Sequence, residues 1–256
     1  MTGGNVKNNI MGHIPGFVRN FWKKWNERII WDNTMITYLS GYFRLSPIET
    51  KCMLRMGNRL FCDFWLSSMA GNKKSVVDCY KAPFPYNLFS LAYWHMSAGQ
   101  RSFRKKITDF SFGDVLDYGG GIGDLALALA QKGCNVSYTD LNGENMKFAK
   151  WLFDKANYHN ISVFDVEKDQ NKIWMKKYDT IICVDVIEHL VDAESVLERI
   201  STHIEDKGRL IITAIDCLGP TAEAPMHFKI NFDPSKLLGR FGLHKSNEFD
   251  WLWEKK

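Results

Sequence analysis

The chain has 256 residues, of which 45% are hydrophobic and 24% charged, and its formal net charge is +4. This composition indicates a folded globular chain and excludes a collagen-like repeat, a mostly disordered chain and a small disulfide scaffold. It contains no run of 18 apolar residues, so we expect no transmembrane segment. The six cysteines form no C-x-x-C pair, which predicts reduced thiols in a cytoplasmic protein.

Charge divides the chain near residue 107. Residues 1–107 hold 16 Lys and Arg against 5 Asp and Glu, whereas residues 108–256 hold 17 against 24. The element patterns described below predict a helical N-terminal cap, or substrate-binding extension, over residues 1–107 and an α/β domain over residues 108–256. The basic first part indicates either an anionic partner or a solvated basic face without one.

The first predicted element is a basic amphipathic helix within residues 16–31. Phe17, Phe21, Trp25 and Ile29 recur at i, i+4 spacing, and Lys and Arg occupy the other faces. Such a helix can make peripheral contact with a membrane surface, or it can pack its aromatic stripe on the protein itself. The pattern leaves both alternatives open.

Two further helices are predicted before the sheet. Ser46-Pro47-Ile48-Glu49 is typical of a helix start, because the serine can cap, the proline fits the first turn and the glutamate completes a capping box. We expect this helix to end near Ser68. After the proline-containing break at residues 81–85, a second helix is predicted over residues 87–107.

From Gly113 onward, short apolar strands alternate with amphipathic helices. The predicted strands cover residues 115–116, 135–139, 161–164, 178–184 and 209–215. The predicted helices cover residues 123–132, 142–157, 192–204 and 234–241. This alternation predicts an α/β fold with a mostly parallel sheet and helices on both faces. Beyond the last helix only residues 249–254 clearly predict a strand, so the sheet either lacks a seventh strand or forms a short one at residues 243–246.

A glycine-rich turn joins the first of these strands to the next helix. It reads Asp117-Tyr-Gly119-Gly120-Gly121-Ile-Gly123-Asp124. Glycines let the backbone turn tightly and approach a ligand, and the helix start presents free N–H groups. A dinucleotide loop would place its third glycine at Asp124, a poor neighbour for a pyrophosphate, or at Ala126, where alanine is tolerated. The dinucleotide interpretation is weakened but remains open.

Carboxylates at successive strand ends favour a different ligand. Asp117, Asp140 and Asp165 each end a predicted strand, and Asp185 follows the fourth. S-adenosylmethionine carries a sulfonium, an ammonium and no phosphate, so acidic residues suit it. Asp140 can accept both ribose hydroxyls in either cofactor class and does not discriminate between them.

These residues together resemble the motif series of class I S-adenosylmethionine-dependent methyltransferases. The series comprises the glycine turn, Asp140, Asp165 and Asp185-Val-Ile-Glu188-His189-Leu190, and the similarity covers roughly residues 86–245. It is closest to the quinone-biosynthesis methyltransferases. The resemblance implies a Rossmann-like sheet and methyl transfer to a small-molecule acceptor. It implies a cofactor site formed by Asp117, Gly119, Gly120, Gly121, Gly123, Asp140, Leu141, Asp165, Val166 and Asp185.

Glu188, His189 and His227 are the candidate catalytic residues. They follow the fourth and fifth strands, and a histidine there could deprotonate a hydroxyl or amine nucleophile. Acid-x-x-Glu-His also resembles the metal motif of small-RNA 2′-O-methyltransferases and of some quinone methyltransferases. We expect metal-free chemistry, with Asp185, Glu188, His189 and His227 as the alternative ligand set for Mg²⁺ or Mn²⁺.

The acceptor is expected to lie against the N-terminal part. Tyr86, Trp94, His95 and Arg101 precede the first strand and are the candidate substrate-binding residues. Aromatic residues there favour an apolar, aromatic or lipid-like acceptor, and the cations favour an anionic group on it. No RNA-binding signature occurs, so nucleic acid is not the expected partner. An RNA methyltransferase, a nicotinamide-dependent oxidoreductase and a non-catalytic methyltransferase-like protein remain the alternatives.

Overall fold

A computed structural model of the chain describes residues 27–70 and 74–256, so most of the predicted amphipathic helix at residues 16–31 lies outside the described residues. Within those described ranges, five helices precede the sheet: α1 (Asn33–Phe43), α2 (Pro47–Met69), α3 (Val76–Tyr80), α4 (Tyr86–His95) and α5 (Ala98–Phe110). Among the described residues, no helix is both long and apolar enough to cross a bilayer.

The predicted start of α2 is confirmed. The Ser46 hydroxyl accepts a hydrogen bond from the Glu49 N–H at 3.3 Å, and the Glu49 carboxylate accepts one from the Ser46 N–H at 2.8 Å. Gly57 lies inside α2 where this helix crosses α4. A Cβ atom there would lie 2.5 Å from the Ser90 nitrogen, so the two backbones touch at this glycine.

The prediction of one continuous helix over residues 87–107 is wrong. The chain ends α4 at His95 and restarts as α5, because the Ser97 backbone is extended and its hydroxyl caps the Gln100 N–H at 3.3 Å. A short β-bridge joins Ile29 to Ser97, and the Ile30 N–H donates to the Met96 carbonyl at 2.8 Å. This pairing occupies the break between the two helices.

In the part of the chain that the structure describes, seven strands form one sheet, which confirms the predicted α/β class. They are β1 (Asp114–Tyr118), β2 (Asn135–Asp140), β3 (Ile161–Asp165), β4 (Tyr178–Cys183), β5 (Ile204–Ile212), β6 (Leu243–Lys245) and β7 (Leu252–Lys255). Their order is β3-β2-β1-β4-β5-β7-β6. The first five strands are parallel and β7 is antiparallel to both neighbours. The seventh strand is present, and residues 243–245 form the short strand at the edge.

Helices and turns join these strands and cover both faces of the sheet. They are α6 (Asp124–Lys132), α7 (Glu144–Ala156), α8 (Gln170–Ile173), a 3₁₀ turn (Ile187–His189), α9 (Ala193–Thr202) and α10 (Pro234–Arg240). The two faces bury separate cores: Val115 and Ile182 point to one, and Leu116 and Ile181 to the other. Side chains therefore alternate between two apolar environments, as an internal sheet requires.

A third core joins the N-terminal helices to the sheet. Leu39 of α1, Leu54 of α2 and Phe89 of α4 are buried with Ile122 and with Phe148 of α7. Ile122 belongs to the glycine-rich turn after β1. The N-terminal helices are thus packed directly against the loop predicted to bind the cofactor.

Candidate functional site

The sheet order places a crevice at the carboxyl ends of its central strands. β1 lies between β2 and β4, so the loops that follow β1 and β4 leave toward opposite faces. Asp117, Asp140 and Asp165 lie at the ends of β1, β2 and β3, and Asp185 follows β4. The four predicted carboxylates are therefore brought to one edge of the sheet.

The glycine turn adopts backbone conformations that favour glycine. Gly119, Gly121 and Gly123 have φ angles of +74°, +57° and +78°. A Cβ atom on Gly123 would lie 2.7 Å from the ring of Phe153, and one on Gly120 would lie 2.7 Å from Asp117 Oδ2. The turn is thus held close to both α7 and the end of β1.

Asp140 connects the glycine turn to the second strand. Its carboxylate accepts the Gly121 N–H at 2.7 Å and the Leu141 N–H at 2.6 Å. Burial raises the pKa of this group to about 7, although these two hydrogen bonds oppose the shift. A carboxylate has about four acceptor positions, so two remain for the hydroxyls of a ribose.

Three buried carboxylate oxygens at this edge lack a hydrogen-bond partner within the described residues. They are Asp117 Oδ2, Asp165 Oδ2 and Glu188 Oε2. Burial raises the pKa of Asp117 to about 7 and that of Glu188 to about 8. Buried polar atoms are normally paired, so this concentration of free acceptors indicates a ligand that brings N–H donors or positive charge.

Asp165 at the end of β3 and Asp185 after β4 each use one carboxylate oxygen for a hydrogen bond within the protein. Asp165 uses its other oxygen to accept the Glu167 N–H at 2.9 Å, and the Val166 N–H donates to the Asp140 carbonyl at 3.0 Å. Asp185 has a left-handed backbone with φ +54°, and one of its oxygens accepts the Thr213 hydroxyl at 2.9 Å.

The three candidate catalytic residues form one cluster. His189 and His227 have ring centroids 4.8 Å apart, and His189 Nε2 lies 3.9 Å from Glu188 Oε1. Burial, followed by the nearby His227, lowers the pKa of His189 to about 4; burial also lowers the pKa of His227. At neutral pH both imidazoles are therefore uncharged, and each offers one bare ring nitrogen.

The same cluster is the part of the predicted metal set that the structure brings together. One ligand atom each from Glu188, His189 and His227 lies within 4.8 Å of the others. Asp185 does not belong to this group. The alternative ligand set is thus reduced to one carboxylate and two imidazoles, and a resident metal stays a prediction.

Tyr80 is a site residue that the sequence did not reveal. Its hydroxyl lies 2.8 Å from His189 Nδ1, although 109 positions separate the two residues. Tyr80 ends the five-residue helix α3, whose capping box at Ser75 and Asp78 could have been recognised. That motif predicts a helix start but gives no indication of what its last residue contacts.

The four candidate substrate residues do not share one location. Tyr86 stacks on Phe84 with ring centroids 5.5 Å apart, and Trp94 is 48% exposed. His95 and Arg101 line a cavity between the N-terminal helices and α6 whose walls include none of the strand-end carboxylates. Arg101 lies 3.5 Å from Asp32. The positions of His95 and Arg101 thus do not support contact with an acceptor at the strand ends.

Asp124, which follows the glycine turn, is paired within the protein. His95 Nδ1 lies 3.1 Å from its carboxylate, and the Arg104 guanidinium forms an ion pair with the other oxygen. Burial opposes ionisation, but these two partners hold the pKa of Asp124 well below its usual range. A fixed negative charge at the start of α6 disfavours a pyrophosphate there.

Comparison with known proteins agrees with this geometry. A family profile described as a methyltransferase domain matches residues 95–249, more than half of the chain. The chain belongs to this family. The methyltransferase domain so defined begins at the end of α4 and includes the glycine turn and every strand-end carboxylate.

Individual relatives cover less of the chain. A ubiquinone biosynthesis O-methyltransferase of Rickettsia conorii is 31% identical over 121 residues, which are 46% of this chain and 40% of the relative. The Rickettsia akari enzyme of the same name is 33% identical over 107 residues, 40% of each protein. The chain thus spans about two fifths of the length of these relatives.

The fold of most of the chain is similar to that of a solved structure. An O-methyltransferase family protein from Burkholderia thailandensis aligns with a TM-score of 0.56 and 12% identity, covering 80% of this chain and 71% of that protein. This similarity supports the Rossmann-like architecture of the sheet and its helices.

Proposed function

We propose that the protein is an S-adenosylmethionine-dependent methyltransferase that acts on a small-molecule acceptor. The observation that carries the proposal is the set of unpartnered, buried carboxylate oxygens on Asp117, Asp165 and Glu188. S-adenosylmethionine offers an ammonium, a sulfonium and an adenine amino group, which are the donors and charges that such acceptors need. A dinucleotide would instead bring a pyrophosphate to this acidic edge.

Each end of the cofactor has matching residues. Asp140 has two free acceptor positions for the ribose hydroxyls, with the Leu141 backbone beside it. Asp165 and the adjacent Val166 suit the adenine amino group. Asp117 and the glycine turn suit the ammonium end. Asp185 follows β4 on the same side, although Thr213 already occupies one of its oxygens.

When bound, S-adenosylmethionine supplies an electrophilic methyl carbon. An acceptor oxygen or nitrogen would take this methyl group, and the electron pair of the broken carbon–sulfur bond would stay on the sulfur of S-adenosylhomocysteine. The acceptor's proton leaves to a protein group, for which Glu188 and His227 are the candidates. Glu188 has a pKa raised by burial to about 8, close to the working pH that favours proton transfer.

The acceptor side of the crevice is aromatic. Phe61 and Trp65 of α2, together with Met226, form a buried cluster that Tyr80 and Tyr86 join. This cluster reaches the catalytic residues through Tyr80 and through Met226, which is the neighbour of His227. It supports an apolar or aromatic acceptor. Peripheral membrane contact by residues 16–31 and a cytoplasmic location remain further parts of the proposal.

A metal-assisted reaction on an RNA or small-molecule hydroxyl is the second candidate. The proximity of Glu188, His189 and His227 favours it, and a divalent ion held by them would polarise the attacking oxygen. Titration with Mn²⁺ tests it by paramagnetic resonance. Saturable binding that is lost in His227→Ala would support the metal. Unchanged free Mn²⁺ in the presence of the protein would eliminate it.

The main proposal is tested by thermal unfolding with matched ligands. Sinefungin keeps the ammonium and adenine groups and bears an amine where S-adenosylmethionine has its sulfonium. A ligand at 100 times its Kd should add about 2.7 kcal/mol to the free energy of unfolding. We expect stabilisation by sinefungin and none by NADH. Stabilisation by NADH alone would contradict the proposal.

A further inference from the structure

The segment around α3 lies across the strand ends and touches three of the loops that emerge there. A Cβ atom on Gly143, after β2, would lie 2.8 Å from the Tyr80 carbonyl. Lys81 forms a 2.7 Å ion pair with Glu167, after β3. Tyr80 itself reaches His189, after β4. The N-terminal part therefore contributes a side chain to the catalytic cluster in addition to covering it.

The Tyr80 ring is held in place by aromatic neighbours. Its centroid lies 5.7 Å from that of Phe61 and 5.5 Å from that of Trp65, both on α2. The ring also meets His189 edge-on, with centroids 5.8 Å apart at 73°. Packing on three sides orients the hydroxyl toward the imidazole.

The direction of the hydrogen bond follows from the two groups. The ordinary pKa of a tyrosine hydroxyl is about 10, so the phenol keeps its proton at neutral pH. A neutral imidazole has one bare nitrogen that accepts. A neutral phenol is a good donor to such a nitrogen, and 2.8 Å is the separation expected for a hydrogen bond. The Met226 carbonyl, at 3.4 Å from the same Nδ1 atom, is a much poorer partner.

We propose that Tyr80 is a positioning residue that donates to His189 Nδ1 and thereby holds this histidine in the tautomer with its proton on Nε2. The inference rests on the proposed function, because it assigns roles within that site. Nε2–H then lies on the side of Glu188, whose Oε1 is 3.9 Å away. In this tautomer His189 donates a hydrogen bond to the acceptor oxygen, and proton removal is left to Glu188 or His227.

The tautomer of His189 also distinguishes the metal-free reaction from the metal-assisted one. A metal ion at Glu188, His189 and His227 would need a bare Nε2, with Nδ1–H donating to Tyr80 or to the Met226 carbonyl. The proposed tautomer has the opposite arrangement. Determining which nitrogen of His189 carries the proton therefore tests the proposal directly.

The test is ¹⁵N nuclear magnetic resonance of histidine-labelled protein at pH 7, without cofactor or acceptor. His189 is assigned by the resonance missing from His189→Gln. We expect Nε2 to be protonated and Nδ1 bare in the wild-type protein, and Tyr80→Phe to shift the two nitrogens toward a mixture of tautomers. Tyr38→Phe is the control. The Tyr38 ring packs on Trp151 rather than on His189, so this variant should leave the tautomer pattern unchanged.

Two results would overturn the proposal: a wild-type His189 protonated on Nδ1, which would favour the metal alternative, or an unaltered tautomer in Tyr80→Phe. Because the measurement needs no ligand, its outcome is independent of cofactor binding. Calorimetry with S-adenosylhomocysteine on the same samples reports separately on the proposed function. A failure of the tautomer proposal is thus distinguishable from a failure of the proposed function.

Discussion

Three acids near the strand ends, Asp117, Asp165 and Glu188, each have a buried oxygen without a partner among the described residues. Asp124, whose side chain is 21% exposed, is paired with Arg104 and His95, whereas Asp117 and Glu188 each keep one buried oxygen unpaired. Leaving such groups without donors costs about 1–3 kcal/mol each. This cost is offset when a ligand supplies the donors, so the ligand-free fold is destabilised at its own binding site.

The glycine turn is closely packed at Gly123. Gly123→Ala would force a positive φ on alanine and place a methyl group 2.7 Å from the Phe153 ring. We expect a loss of about 2–4 kcal/mol in the free energy of unfolding, measured by urea titration. Gly239→Ala, in α10 with open space around its Cβ position, should cost nothing or stabilise. Equal effects of the two substitutions would contradict the close packing of the turn.

Asp117 should make the ligand-free protein less stable as the pH rises. Its folded-state pKa is about 7, above the value of about 3.9 for an unfolded chain, so the native state binds the proton more tightly. Its stabilising contribution is complete below pH ~4 and is lost as the pH rises to about 7. Asp117→Asn should flatten this decline by up to ~1.4 kcal/mol per pH unit, measured by urea unfolding between pH 5 and 8.

Exposed Asp154→Asn is the matched control for this pH dependence and should keep the wild-type slope. Part of the slope should also persist in Asp117→Asn, because burial raises the pKa of Asp140 in the same direction. If Asp117→Asn retains the full wild-type slope, Asp117 does not hold its proton in the native state.

At the scale of elements, α4 and α5 hold the start of α6 through Asp124. Both partners of this carboxylate come from the helices before the sheet, and its own position directly follows Gly123. The side chains of Arg104 and Asp124 are 14% and 21% exposed. This ion pair therefore fixes the glycine turn to the N-terminal helices.

Removing one partner of the pair should be costly. Arg104→Met leaves Asp124 buried without its main counter-charge, and we expect a loss of about 3–5 kcal/mol in unfolding free energy. The double variant Arg104→Met/Asp124→Leu should recover most of that loss. Arg101→Met removes only the half-exposed pair with Asp32 and should cost less than about 1 kcal/mol. If Arg104→Met loses no more unfolding free energy than Arg101→Met, the Arg104–Asp124 ion pair does not hold the glycine turn to the N-terminal helices.

The elements themselves were largely predictable. Hydrophobic alternation and caps locate α2, the glycine turn and the central strands, because these signals are local in sequence. The Ser97 cap is local and was overlooked, whereas the pairing of this break with Ile29, nearly 70 positions away, could not be predicted from spacing. Tyr80 and the partners of Asp124 were missed for the same reason. Each is positioned by packing between distant segments, which spacing alone does not encode.

On the scale of the whole molecule, the helices before the sheet pack on the sheet through two shared apolar clusters. The third core joins α1, α2 and α4 to α7 and to Ile122 of the glycine turn. The aromatic cluster joins α2 and α3 to Met226, beside His227. The residues that we propose for the cofactor thus come from the sheet, while the proposed acceptor side is shared between the two parts of the chain.

The central claim, a cationic nucleoside site at the strand ends, is tested most directly by calorimetric titration with S-adenosylhomocysteine, with NADH in a parallel cell. We predict micromolar binding of S-adenosylhomocysteine, no binding of NADH, and at least a 100-fold loss of affinity in Asp140→Ala, because we propose that Asp140 accepts the ribose hydroxyls. Asp154→Ala should bind as the wild type does. NADH binding alone, or full S-adenosylhomocysteine affinity in Asp140→Ala, would contradict the account.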